Sequence, residues 1–166
     1  MTTLESNTSG ERLMVAHLVD PIEEGYNFTD WPLHITVLPW FKRSESITKS
    51  EIELSAEHMR ACRVALGKKA LGCIEMFGDE CDTPVRTISN STSLGVMHGM
   101  LLTMFRKNLE STDYIGGAYN PHLTIRENND PGELAEIDID RISLIKYENS
   151  VKTVLRNYDL KNETKT

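Results

Sequence analysis

One short pattern occurs twice in this sequence, and its two copies lie half a chain apart. The segments WPLHITV at 31–37 and YNPHLTI at 119–125 share an aromatic residue, two intervening residues, histidine, an aliphatic residue, threonine and a β-branched residue. The two histidines are separated by 88 residues in a chain of 166. An internal repeat with this spacing predicts two related lobes.

Each copy has the composition of a β-strand. Because consecutive side chains of a strand point to opposite faces, His34 and Thr36 share one face, and so do His122 and Thr124. Their aliphatic neighbours share the other face and can pack on a core. If a pseudo-twofold axis relates the lobes, the two His–Thr pairs face each other across a groove.

The remaining hydrophobic patterns predict a mixed α+β chain. Ser50 and Glu53 have the form of a capping box, which predicts the start of an amphipathic helix that ends at Gly67, and a second helix is expected from Ser91. Strands and helices do not alternate one by one, which argues against a βαβ series. Short apolar or alternating runs predict strands at 12–19, 33–38, 69–77, 84–88, 121–126, 137–147 and 151–160, the last two forming a hairpin.

Length and terminal composition predict one compact domain, or two small lobes that share a core, at 11–160. A chain of 166 residues can bury one substantial core. The polar segments 1–10 and 161–166 are expected to be flexible tails. The longest uncharged run, 87–105, is interrupted by polar side chains, so no membrane span is expected. The N-terminal residues lack the features of a signal peptide, which predicts a cytoplasmic location.

Charge and motif content disfavour several classes of protein. Lys and Arg number 18 against 25 Asp and Glu, so the chain as a whole repels polyanions and duplex DNA is not an expected partner, although a short nucleotide in a basic cleft is not excluded. The three cysteines form no C-x-x-C pair, and free thiols are expected. Motifs of nucleophilic hydrolases, NTPases, dehydrogenases and zincins are absent. The acidic stretch 127–140 does not fit an EF-hand loop, so neither a metal nor a cofactor is expected.

Two imidazoles and two hydroxyls around one groove suit cleavage of a phosphodiester without a metal ion. One imidazole must be neutral to accept a proton, and the other must be charged to protonate the leaving oxygen. Histidine permits either state near neutrality. Thr36 and Thr124 can donate hydrogen bonds to the non-bridging oxygens, and Arg126 can neutralise the charge that develops there. The sequence does not assign the acid and the base.

The segments LHITVLPWF at 33–41 and NPHLTIR at 120–126 resemble the two signature motifs of the 2H phosphoesterases. This superfamily contains the 2′-5′ RNA ligase-like proteins and the cyclic nucleotide phosphodiesterases. The resemblance covers roughly 11–160. It implies a bilobal fold of two pseudo-twofold-related antiparallel sheets that form a central groove, with the helices packed outside. It also implies metal-independent chemistry on 2′,3′-cyclic or 2′-5′ phosphodiester bonds, with catalytic roles for His34, Thr36, His122 and Thr124.

Several further side chains are candidates for substrate binding. Trp40 and Phe41 directly follow the first motif, where an aromatic ring can either stack on a base or lie at the edge of the core. Tyr119 holds the aromatic position of the second motif and is a candidate of the same type. Arg126 either contacts phosphate or is a solvated strand end. His98 lies on the apolar face of the second predicted helix and is expected to be a core histidine.

These features favour an enzyme that hydrolyses or reversibly ligates phosphodiester bonds of a small nucleotide or an RNA end, acting as a monomer. Two alternatives remain open. One is a non-catalytic nucleotide or RNA-end binding module on the same scaffold. The other is a structural or interaction domain in which the His–Thr repeat is accidental. The acidic balance of the chain disfavours long RNA substrates.

Overall fold

The protein combines an antiparallel sheet with two helices. The structure is a computed structural model, and it describes residues 11–62 and 66–161. The helices in these ranges are α1 (Glu45–Ala61) and α2 (Thr92–Phe105). The strands are β1 (Glu11–Leu18), β2 (Asn27–Phe28), β3 (His34–Arg43), β4 (Gly67–Phe77), β5 (Thr83–Ile88), β6 (His122–Thr124), β7 (Glu136–Ile139), β8 (Arg141–Glu148) and β9 (Val151–Asp159).

The strands join in the order β2-β9-β8-β1-β3-β6-β5-β4-β7. Strands β3 and β6, which carry the two motifs, lie next to each other, and each leads outward into its own half of the sheet. The halves meet where Ile35 of β3 pairs with Leu123 of β6. The two antiparallel sheets expected from the sequence are therefore continuous across this one contact, and it is here that the two motifs meet.

Both helices pack on the same face of the sheet. Ile52, Ala56 and Met59 of α1 and Leu94, Met97 and Leu101 of α2 are buried at spacings of three and four, and they meet alternate residues of the central strands in the main core. A second, smaller cluster contains Met14, Ala16 and Leu18. Because these residues alternate along β1 with members of the main core, the smaller cluster lies on the face that the helices leave uncovered.

Helix α1 begins earlier than the capping box predicts. It starts at Glu45, after Ser44, and the Ser50 hydroxyl lies inside the helix. An ion pair between Lys49 and Glu45 at 2.7 Å supports the polar first turn, which carries little apolar signal in the sequence. The helix ends at Ala61, and Gly67 begins β4. Residues 63–65 of the predicted helix lie outside the described residues.

The single strand predicted at 137–147 is wrong, because the chain changes strand partners at Asp140. Before this residue β7 pairs with β4, and after it β8 pairs with β1 and β9. The predicted hairpin of β8 and β9 is confirmed, and its turn is Asn149-Ser150, where both residues have positive φ as a type I′ turn requires. Because of the break at Asp140, one chain segment supplies β7 to one half of the sheet and β8 to the other.

Most of the predicted terminal tails lie outside the described residues. Lys161 is described, and its ammonium lies 3.0 Å from a carboxylate oxygen of Asp138. Along residues 11–62 and 66–161, no helix is both long and apolar enough to cross a bilayer. All three cysteine thiols are free and exposed.

Candidate active site

The contact between β3 and β6 brings the four motif side chains to one face of the sheet. Ile35 and Leu123 are paired there and fully buried in the main core. Residues that flank a pair on an antiparallel ladder point to the opposite face, so the motif histidines and threonines project away from the helices. Antiparallel register places His34 opposite Thr124, and Thr36 opposite His122.

This register fixes the spacing of the site. Side chains directly opposite each other start from Cβ atoms about 4.5–5.5 Å apart, and diagonal neighbours start about 7–8 Å apart. The four side chains form a square, which we call the motif square. His34 and His122 occupy one diagonal, and Thr36 and Thr124 occupy the other. A tetrahedral phosphate centred above this square can contact all four side chains.

Both histidines are held in the same way. The Nδ1 atom of His34 donates a hydrogen bond of 2.9 Å to the carbonyl of Pro32, and Nδ1 of His122 donates one of 2.8 Å to the carbonyl of Asn120. A carbonyl oxygen can only accept, so Nδ1 carries a proton in each ring. The Nε2 atom therefore carries the lone pair of each neutral ring, and the carbonyls fix the orientation of both rings.

The surroundings of the two imidazoles differ. The Trp31 indole stacks on the ring of His34, with centroids 4.2 Å apart, whereas the rings of Phe77 and His122 meet edge to face, with centroids 5.0 Å apart. Burial lowers the pKa of His34 to about 4, and the positive charge of Arg126 acts in the same direction. His34 is therefore neutral near pH 7, which is the state that accepts a proton.

Arg126 lies at the border of this site. It is exposed, follows β6 by two residues, and forms an isolated backbone bridge with Asn129. Its charge is close enough to His34 to lower the pKa of that imidazole. Arg126 thus supplies a positive charge near His34.

Trp40 lies on the same face of the sheet as the motif square. Its ring is half-buried and lies 6.0 Å from that of Trp31, and the guanidinium of Arg12 lies 4.7 Å from its centre. Trp40 packs against the smaller apolar cluster on the helix-free face. It remains a candidate for ligand contact.

Two predicted substrate contacts do not fit the structure. Phe41 is fully buried and stacks on Phe105 of α2 at 4.8 Å, so its predicted contact with a substrate is wrong. Tyr119 stacks on His98 at 3.9 Å, on the helix side of the sheet, and its hydroxyl donates to the carbonyl of Thr36 at 2.9 Å. Tyr119 therefore braces the backbone of β3 instead of lining the groove, and that predicted contact is wrong as well.

His98 is the buried core histidine that the sequence predicts. Its Nδ1 atom donates to the carbonyl of Val37 at 2.7 Å, and its Nε2 atom accepts a hydrogen bond from the amide of Gly116 at 3.0 Å. Because Nε2 accepts, the ring is neutral, and burial lowers the pKa of His98. This imidazole ties α2 to β3 and to the loop that precedes the second motif.

Three further residues around His34 are not predicted from the sequence. Trp31 covers the imidazole, and its carbonyl accepts a hydrogen bond of 2.8 Å from the Asn129 side chain, which links the segments before β3 and after β6. Lys152 is buried, and its charge also lowers the pKa of His34. The repeat contained a signal for Trp31, because an aromatic residue stands three positions before the histidine in both copies. Lys152 and Asn129 are distant in sequence from His34 and carry no local signal.

Within the described part of the chain, no three His, Cys, Asp or Glu side chains lie close enough together to hold a metal ion. The site instead offers two nitrogen bases, two hydroxyl donors and one guanidinium. Such a set can move protons on both sides of a phosphorus atom and can hydrogen-bond its free oxygens.

Comparison with known proteins identifies the family. The family model described as the 2′-5′ RNA ligase superfamily matches residues 11–150. None of the curated proteins compared with the chain matches it.

Solved structures of the same fold are similar over nearly their whole length. LigT from E. coli, in a crystal structure with NADP+, has 15% identity and a TM-score of 0.59, covering 93% of this chain and 99% of LigT. LigT with 3′-AMP gives 14% identity and a TM-score of 0.58, covering 91% and 98% of the two chains. A crystal structure described as a phosphoesterase gives 14% identity and a TM-score of 0.59, covering 92% and 99%.

These likenesses confirm the predicted fold class, an antiparallel α+β fold of the 2H phosphoesterase type. Since the family model spans most of the sequence, the chain belongs to the 2′-5′ RNA ligase superfamily.

Proposed function

We propose that this protein is a phosphoesterase that cleaves, or reversibly joins, 2′,3′-cyclic or 2′-5′ phosphodiester bonds of small nucleotides or RNA ends by acid–base catalysis without a metal ion. The observation that carries the proposal is the square of motif side chains at the β3–β6 contact, with the imidazoles of His34 and His122 on one diagonal. Membership of the 2′-5′ RNA ligase superfamily supports the reaction class.

His34 acts as the general base in the cleavage direction. Its imidazole is neutral near pH 7, and its Nε2 atom is not engaged by the Pro32 carbonyl. For a cyclic phosphate substrate, Nε2 of His34 takes a proton from the attacking water while His122 gives a proton to the departing ribose oxygen. The products are one phosphate monoester and a free ribose hydroxyl. In the reverse direction each histidine performs the opposite transfer.

The threonines and Arg126 stabilise the charge that develops on phosphorus. Thr36 and Thr124 stand on the other diagonal of the square, where their hydroxyls donate hydrogen bonds to the non-bridging oxygens. Arg126 at the border of the square compensates the additional negative charge. Each proton transfer of this type contributes about 10²–10⁴ in rate.

The size of the site and the neighbours in fold support the proposed substrate class. The square accommodates one phosphate, and LigT has been crystallised with small nucleotides, among them 3′-AMP and ATP. The chain carries a net charge of −7, which disfavours long polyanions. A small nucleotide or the end of an RNA strand therefore fits better than an extended duplex.

The test is hydrolysis of 2′,3′-cyclic mononucleotides and 2′-5′ dinucleotides by chelator-treated protein. We expect turnover of at least one of these substrates, and a loss of at least about 10² in kcat for His34→Ala and for His122→Ala with the fold retained. His58→Ala is the matched control, because His58 is exposed on α1 and lies far from the motifs in the fold. Activity that disappears with the metal, or that survives replacement of both motif histidines, would contradict the proposal. Nucleotide binding without any turnover would favour the binding module instead.

A further inference from the structure

A buried lysine, Lys152, contacts the ring that covers His34. Lys152 of β9 is only 9% exposed, although lysine is rarely buried to this extent without a partner. The strand register places it directly opposite Tyr147 on one side and Phe28 on the other. Its ammonium lies 5.2 Å from the centre of the Trp31 ring, 5.6 Å from that of Tyr147 and 6.0 Å from that of Phe28.

The ammonium has little hydrogen bonding to offset its burial. Among residues 11–62 and 66–161 it donates one hydrogen bond of 2.7 Å, to the carbonyl of Thr29, and three aromatic rings lie within 6.0 Å of it. Cation–π contacts stabilise a desolvated ammonium, but a methionine would fill the same apolar box without any desolvation cost. Packing alone therefore does not explain why a charged residue occupies this position.

One of the three rings near Lys152 also contacts the catalytic imidazole. Trp31 contacts Lys152 through its π-system and stacks on His34 with centroids 4.2 Å apart. The two distances place the ammonium within about 10 Å of the imidazole. The Lys152–Thr29 hydrogen bond also fixes the segment that leads into Trp31.

We propose that Lys152 is a positioning residue for His34: through its contact with the Trp31 ring and its hydrogen bond to Thr29, it clamps Trp31 in the position that stacks on the imidazole. Its positive charge in addition lowers the pKa of His34. This inference rests on the proposed function, because it explains how one of two similar histidines is kept as the base. In the part of the chain that the structure describes, no lysine contacts the aromatic neighbour of His122, Phe77, and the two rings meet edge to face.

The other charged groups around His34 act in the same direction as Lys152. Arg126, which follows β6, and His122 on β6 both lower the pKa of His34, after the larger effect of burial. From β1 the residue opposite His34 is the uncharged Leu18. The hydrogen bond to the Pro32 carbonyl opposes these effects. Unlike Arg126 and His122, Lys152 has no role in the proposed reaction, so its charge can be removed without deleting a catalytic group.

The experiment is an NMR titration of the His34 imidazole in wild type, Lys152→Met and Lys152→Gln. Both variants remove the charge, and the glutamine keeps a donor for the Thr29 carbonyl, so either folded variant suffices. We expect the pKa of His34 to rise by roughly half a unit, as for one charge at this distance in a partly screened setting. Lys152→Arg should restore the wild-type value. Lys69→Met is the matched control, since Lys69 is similarly buried but lies on β4 in the other half of the sheet.

The possible outcomes distinguish failure of the inference about Lys152 from failure of the proposed function. An unchanged pKa of His34 in a folded neutral variant, or an equal rise in Lys69→Met, overturns the inference even if the protein is an active phosphoesterase. A rise in protein that hydrolyses no phosphodiester leaves the coupling intact and removes the proposed function. In active protein, the acid limb of kcat/KM should move to higher pH by the same amount as the NMR value.

Discussion

Replacing His34 by glutamine should change how the stability of the protein depends on pH. In the wild type, the pKa of His34 is about 4 in the folded state, against 6.5 for the exposed imidazole of the unfolded chain. Between these values the unfolded state binds more protons, so folding loses stability as the pH falls from about 6.5 to 4. A difference of this size corresponds to about 3 kcal/mol, because one pKa unit is about 1.4 kcal/mol.

His34→Gln removes this titration while its amide can still donate to the Pro32 carbonyl. The assay is urea unfolding of both proteins between pH 7.5 and pH 4, followed by tryptophan fluorescence. At pH 7.5 the variant should have a lower free energy of unfolding than the wild type, because it has lost the stacked ring. As the pH falls to 4, the free energy of unfolding of the wild type should decrease by about 3 kcal/mol relative to that of the variant, because only the wild type has to keep a buried imidazole uncharged.

Other groups titrate in both proteins, and their contributions cancel in the difference. His58→Gln, on the exposed side of α1, gives the control for loss of one imidazole. A stability difference between wild type and His34→Gln that stays constant from pH 7.5 to 4 would refute the assignment of His34 as a buried neutral base.

Three more substitutions test the supports of the site. Asn129→Ala removes the 2.8 Å hydrogen bond to the Trp31 carbonyl and should lower kcat several-fold with little change in the melting temperature, whereas loss of the fold would contradict a local role. Tyr119→Phe deletes one hydrogen bond to β3 and should cost about 1 kcal/mol in unfolding experiments; a loss of substrate affinity without loss of stability would place this ring in the groove after all. Gly72→Ala would put a Cβ atom 2.6 Å from the Thr87 hydroxyl and should destabilise the fold by about 1–3 kcal/mol, with Thr87→Ala relieving much of that cost.

The repeat of the two motifs was sufficient to predict the centre of the fold. Alternation along each strand fixed the faces of His34 and His122, and their β-branched and aliphatic neighbours fixed the core side. The same alternation contained a signal for Phe41, because it lies six residues after Ile35 and thus shares its buried face. The pairing of β1 with β3 has two irregularities, each of which inserts one extra β3 residue. Two insertions restore the original alternation of faces, so Phe41 points to the same side as Ile35.

Other features depend on contacts that the sequence does not encode locally. The alternation shifts by one residue at Asp140 and Arg141, two consecutive polar residues that mark a break between β7 and β8. The sequence does not say which strands pair on either side of that break. Trp31 and Tyr119 occupy the same offset in the repeat, yet one stacks on a motif histidine and the other stacks on His98. The contacts of Trp31 with His34 and with Lys152 depend on tertiary packing on the helix-free face. The asymmetry between the two motif histidines is therefore visible only in the folded protein.

The most direct test of the account is whether both motif imidazoles bind one phosphate. Inorganic phosphate can be titrated into the wild-type protein while the NMR signals of His34 and His122 are followed together. The structure predicts that both sets of signals move with a single dissociation constant, and that combining Thr36→Val with Thr124→Val weakens binding at both rings equally. A response at one ring alone, or two separate dissociation constants, would contradict a shared phosphate site.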